Sequence, residues 1–200
     1  MPNQSLLEKH FFKTACYFEA GLAVVASIVG WLFDVNPFAD LYFSETALIN
    51  AVIATLPLVV LFFAMQHLPH PSFTKIRTML EESLGQSLLN SHWTDLLILA
   101  CLAGFGEEVL FRGLMQSGFE QAWGADVGLI ASGVLFALAH AVTPLYAVLA
   151  LLMSFYLGLS LDYGGERNLL TPIAIHALYD FVAFLAIVSN TRKNITNTND

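Results

Sequence analysis

The stretch WTDLLILACLAGFGEEVLFRGLMQSGF, residues 93–119, decides the fold. It is long and apolar enough to cross a bilayer, which takes ~20 residues, yet it carries Glu107, Glu108 and Arg112 near its middle. A charge at that depth costs roughly 2.5–3.5 kcal/mol on insertion scales, so such side chains face one another and serve transport, proton relay or catalysis. Three more ionisable residues stand in other apolar stretches: His140 at the end of one, and His176 with Asp180 in another.

The composition agrees with a membrane chain. Of 200 residues, 56% are hydrophobic and only 12% charged, and the mean hydropathy of +0.66 lies far outside the soluble globular range. A net charge of −8 does not point to nucleic acid. Cys16 and Cys101 both lie in apolar runs and read as packing residues rather than a disulfide framework. The first thirteen residues are polar and mixed in charge, and no cleaved signal peptide or lipidation site is expected there.

The expected architecture is all-α, a polytopic membrane protein of about six transmembrane helices plus one interfacial amphipathic helix. Ala15 to Phe33 reads as the first span and Thr46 to Gln66, kinked at Pro57, as the second. Between His67 and His92, Phe73, Ile76, Leu80, Leu84 and Leu88 recur at helical spacing among charged residues, which reads as a helix on the membrane surface or a solvated linker helix. The third span starts near Trp93 and ends near Phe119, and the fourth covers roughly Val127 to His140. Thr143-Pro144 and Thr171-Pro172 each look like an N-cap followed by proline, placing the starts of spans five and six.

In domain terms, residues 1–92 hold two spans and the interfacial helix, 93–188 the functional core, and 189–200 a polar tail expected to be disordered. Six spans put both termini on one side, with Lys9, Lys13, Lys75, Arg77, Arg192 and Lys193 there against Arg167 opposite. The positive-inside rule makes that side cytoplasmic, in the cell (inner) membrane. One tension follows. On straight helices Glu107 lies near mid-membrane, His140 toward the inner end and His176 in the outer half, and they meet only if the uncharged turn Ala141-Val142-Thr143 is recessed into the protein.

Successive helical residues stand about 100° apart, so Glu108 and Arg112 share a face while Glu107 points elsewhere. Glu108 and Arg112 then read as a structural ion pair, leaving Glu107 to face a water-containing cavity. His176 and Asp180 are again four apart, as are Phe136 and His140.

At these residues the chain resembles the CPBP family of intramembrane endopeptidases, which takes in CAAX proteases and bacteriocin-processing or Abi proteins. Glu107-Glu108-x-x-x-Arg112, Phe136-x-x-x-His140 and His176-x-x-x-Asp180 follow its three motifs in order, over roughly residues 93–188. The resemblance implies an intramembrane peptidase in which Glu107 activates water, His140 helps to hold that water or a metal, and His176 with residue 180 stabilises the oxyanion. A carboxylate withdrawn from water suits a general base, and imidazoles supply hydrogen bonds or ligands. The resemblance leaves the metal open. His140, His176, Glu107 and Asp180 offer a nitrogen and oxygen set suited to zinc, and a glutamate-only mechanism needs none.

Asp180 departs from the asparagine common at its position. An ionised carboxylate only accepts hydrogen bonds and repels an oxyanion, so Asp180 is expected to be protonated, to orient His176, or to bind a metal. Simpler readings stand beside these: His140 as a helix cap, His176–Asp180 as a packing pair, and Glu19, His67, His70 and His92 as interfacial residues. The expected partners are membrane lipid and a peptide or protein substrate at the membrane. The rival to a peptidase is a non-catalytic interaction or immunity factor, or a small proton-coupled transporter, and the hydropathy shows no inverted repeat for the latter.

Overall fold

The structure is a computed structural model that describes the backbone of residues 2–197 and the side chains of residues 8–197. It is all-helical and polytopic. Helix α1 spans Pro2–Phe33, α2 Glu45–Gln66, α3 Pro71–Leu80 with a π-helical turn Glu81–Gly85, α4 Trp93–Glu108, α5 Ser117–Trp123, α6 Ala125–Ala139, α7 Pro144–Ser160 and α8 Leu170–Asn197. Among the described residues α1, α2 and α8 are each long and apolar enough to cross a membrane. Their outward faces carry exposed Trp31, Phe33, Ile49 and Val60, as a lipid-facing surface requires.

The third expected span is helical from Trp93 to Trp123 but not uniform. A π-helical segment, Val109–Gln116, separates α4 from α5, directly after Glu107 and Glu108. Such wider turns mark functional sites more often than they occur elsewhere in helices. Helices α6 and α7 are short, at 15 and 17 residues. At 1.5 Å per residue they reach only ~22–26 Å, less than the ~30 Å hydrocarbon core. Their connecting turn, residues 140–143, brings His140 Nε2 to 3.6 Å from Glu107, so the two meet, with Thr143 buried and Ala141 and Val142 exposed. The Thr143 hydroxyl caps α7 by accepting from Tyr146 N at 3.1 Å.

Several expected boundaries shift for identifiable reasons. Helix α8 starts at Leu170 rather than at Thr171-Pro172, because the Asn168 side chain accepts from Leu170 N at 2.9 Å. It also runs past Asn190, so the polar tail expected to be disordered is helical as far as Asn197. Arg192 holds it by donating to Leu89 O at 2.6 and 3.0 Å, and Asn194 by donating to Glu81 at 2.9 Å. The end of that tail, residues 198–200, lies outside the described residues. Likewise α1 begins at Pro2, well before Ala15, and Asn90 donates to both oxygens of buried Glu8. Cys101 is exposed instead of packed.

Two histidines read as interfacial are helix caps. His70 Nδ1 accepts from Ser72 N at the start of α3, and His92 forms a reciprocal box with Asp95 at the start of α4. At the opposite end of the bundle Arg167 ties the α7–α8 connection to the α1–α2 connection and to α5, with Asp40 at 3.1 Å, Glu120 at 2.7 Å and, within its own connection, Asp162 at 3.3 Å.

Candidate active site

Close approach between backbones sets the site. A Cβ on Gly106 would fall on the Glu19 carbonyl oxygen, and one on Gly104 would meet Ala177 N at 2.8 Å and Ile173 O at 2.9 Å. Only glycine lets α1 and α8 lie this close to α4. Glu19, Glu107, His176 and Asp180 are thereby gathered from three helices, and the turn after α6 adds His140.

Glu108 is consumed by its neighbours. Arg112 Nη1 donates to its Oε1 at 3.1 Å, and Arg112 Nε stands 3.1 Å from Oε2 in ionic contact without hydrogen-bond geometry. Both side chains are fully buried. Arg112 Nη2 donates further to the backbone and hydroxyl oxygens of Ser154, at 2.9 Å each, and the guanidinium lies 4.8 Å from the Phe136 ring centroid.

Glu108 also has a job that the spacing did not reveal. Its Oε1 lies 2.7 Å from His176 Nδ1. A carboxylate can only accept, so Nδ1 carries the proton and Nε2 is the ring atom left to face the cavity. Asp180 Oδ2 stands 3.6 Å from that Nε2, within ionic reach but too far for a hydrogen bond. Glu108, on another helix, thus orients His176, and Asp180 does not.

Glu107 is arranged the opposite way. It is largely buried, its Oε2 has no hydrogen-bond partner, and His140 Nε2 stands 3.6 Å from that oxygen. His140 does bond to a helix-end carbonyl, as the capping reading expects, with Nδ1 2.9 Å from Phe136 O. That bond fixes the proton on Nδ1 and leaves the Nε2 lone pair aimed at Glu107. The ring stacks on Phe136, with centroids 4.3 Å apart, which holds its plane.

These residues open into a cavity of about 830 Å³. Its walls are mostly apolar, with Phe18 of α1, Leu58 and Phe62 of α2, and Met153 of α7 among them, and Glu19, Glu107, His140, His176 and Asp180 cluster on one side. The apolar stripe of α3, Phe73, Ile76 and Leu80, faces inward and roofs the cavity. Helices α1 and α2 both line it and make no substantial contact with each other.

Among the described residues no three His, Cys, Asp or Glu side chains converge as a ligand set. His140 and His176 each commit Nδ1, to Phe136 O and to Glu108, and turn Nε2 toward the cavity, an arrangement that metal-ligating imidazoles also use.

A helical membrane bundle that buries glutamate and histidine beside a cavity is an arrangement that an intramembrane protease can use. Residues 88–182 match the profile of the family described as type II CAAX prenyl endopeptidase Rce1-like, and the segment that carries the site belongs to that family. The match takes in all three motifs. No curated protein matches the chain. No solved structure matches it either.

Proposed function

We propose that the chain hydrolyses a peptide bond of a lipid-modified peptide or protein held in the cavity, with Glu107 as the base that activates water. The carrying observation is the division of labour between adjacent glutamates. Glu108 is spent on Arg112 and His176, whereas Glu107 faces the cavity beside an imidazole lone pair.

In this reading a water sits between Glu107 and His140. His140 Nε2 accepts one of its hydrogens and orients it, and Glu107 takes the other as the oxygen attacks the carbonyl carbon. The resulting oxyanion accepts hydrogen bonds from His176 Nε2–H, in the imidazolium form, and from Asp180 in its protonated form. Collapse breaks the C–N bond, and the proton on Glu107 passes to the departing nitrogen. The products are a carboxylic acid and an amine, and no step needs a metal. The largely apolar walls that α1 and α2 lend the cavity suit the apolar portion of such a substrate. The family's printed description supports a prenylated peptide as the substrate class.

Orientation belongs to the same proposal: both termini lie on the cytoplasmic side of the cell membrane. Arg77, which donates to Met65 O and Leu68 O, and Arg192 gather at the end where α3 roofs the cavity, and at the other end Arg167 sits among three carboxylates. The test is cleavage of an S-prenylated peptide in ¹⁸O-labelled water by wild type and Glu107→Gln. The wild type should release a fragment with one labelled carboxyl oxygen and the variant none. Undiminished cleavage by a well-folded Glu107→Gln protein would remove Glu107 from the mechanism.

A further inference from the structure

Glu19 stands apart from every role assigned so far. It is the one formal charge between Ala15 and Phe33, and it comes from α1, outside the segment that matches the family. Its backbone is clamped against Gly106, next to Glu107 in sequence, and its side chain lines the same cavity as Glu107, His140, His176 and Asp180. Its Oε2 is closed off from solvent and has no hydrogen-bond partner among the described residues. The charged groups within its electrostatic reach are Glu107, Asp180 and His176, of which two are acids like itself.

A carboxyl group left in such a place costs stability, because nothing in the resting protein repays its lost hydration. An extended peptide entering an apolar cavity has the complementary problem. Its backbone N–H groups lose water and need acceptors. The walls from α2 and α7 are mainly apolar, and the acceptors on the other side are the site acids themselves. Glu19 lies on the α1 wall of this cavity.

We infer that Glu19 is a substrate-contacting residue, whose carboxyl oxygen accepts a backbone N–H of the bound peptide and so sets the scissile bond against Glu107. The inference rests on the peptidase reading and adds to it a residue that positions the substrate. It separates Glu19 from a structural acid, because a residue kept for binding is dispensable for folding.

The experiment uses the full chain in detergent with a fluorescent S-prenylated peptide as probe. Binding is measured in the Glu107→Gln background, and cleavage in the otherwise native protein. Glu19→Met, which fills the same space without a polar group, should unfold at the same temperature as its parent or higher. It should weaken binding by about 10–100-fold, the loss of one hydrogen bond to a charged acceptor. Glu19→Gln, which keeps an oxygen acceptor, should stay within a few-fold. A probe whose amide beside the scissile bond is replaced by an ester should lose affinity for the parent and nothing further for Glu19→Met.

Binding by Glu19→Met equal to its parent would overturn the inference. So would additive losses from the ester and the variant, or a fall in unfolding temperature that makes Glu19 structural. Failure of the peptidase reading looks different. The wild type would then leave the probe intact, or Glu107→Gln would cleave it, whatever Glu19 does to binding.

Discussion

Glu108→Gln tests the centre of the structure, because that carboxylate serves two partners at once. The substitution keeps the shape and removes the charge. Arg112, fully buried, loses ionic contacts at 3.1 Å to both oxygens and keeps its bonds to Ser154. His176 Nδ1 and Arg112 Nη1 meet a neutral amide oxygen where the carboxylate Oε1 stood, and the new amide N–H₂ points a donor at Arg112 Nε. Breaking one partner of a buried pair costs about 3–5 kcal/mol. For a chain of this size each kcal/mol shifts the midpoint by roughly 2–4 °C, so thermal unfolding in detergent should fall by about 6–20 °C. Adding Arg112→Met removes the stranded cation and should restore more than half of that loss. Cleavage should stay reduced, because a neutral amide oxygen supports the His176 imidazolium less well than the carboxylate does. A Glu108→Gln protein that melts within about 2 °C of wild type would refute the ion-pair argument. A stable, fully active double variant would refute the orienting role.

Asp180→Asn supplies a neutral donor where the family commonly has asparagine, and it is expected to keep activity and lose any alkaline falloff due to Asp180. A pH–rate profile decides it: a loss beyond about two orders of magnitude at every pH, the scale of a removed catalytic donor, would sink the oxyanion assignment. Gly106→Ala drives a methyl group into the Glu19 carbonyl oxygen and should cost about 1–3 kcal/mol by pushing α1 from α4, with probe affinity falling alongside stability. Arg167→Met leaves Asp40, Glu120 and Asp162 facing one another, and its partly exposed network should be worth about 1 kcal/mol, a difference in melting temperature that shrinks in high salt.

Most of the fold was legible because a bilayer allows so few solutions. Long apolar runs must be helices, and α1, α2 and α8 follow from length and composition alone. The pairing of Glu108 with Arg112 was legible for the same reason, since four residues on a helix place two side chains on one face. What spacing cannot carry is a contact between helices. The bond from Glu108 to His176 joins residues 68 positions apart, and nothing in either motif states that the orienting carboxylate sits on α4 instead of four residues along α8. Glu19 was missed in the same way. Its signal was a lone charge in an otherwise apolar span, and the glycine that clamps it lies on another helix.

The short hairpin α6–α7 shows how a local feature becomes a functional one. The sequence carried its cause, since Gly124 starts α6 at a φ of +92° and Thr143-Pro144 starts α7. With both starts set in this way, α6 ends at His140, whose Nε2 stands 3.6 Å from Glu107. A helix end there leaves carbonyls unpaired in an apolar setting, which is costly unless a side chain repays them. His140 does so with Nδ1 on Phe136 O, and the imidazole then has one orientation available, with Nε2 toward Glu107. Capping and catalysis are therefore not rival explanations of this histidine. The bond that satisfies the helix end is what fixes the tautomer and aims the lone pair. By this reasoning His140→Gln, which can cap but has no ring to stack on Phe136 and no aimed nitrogen, should keep much of the fold and lose turnover.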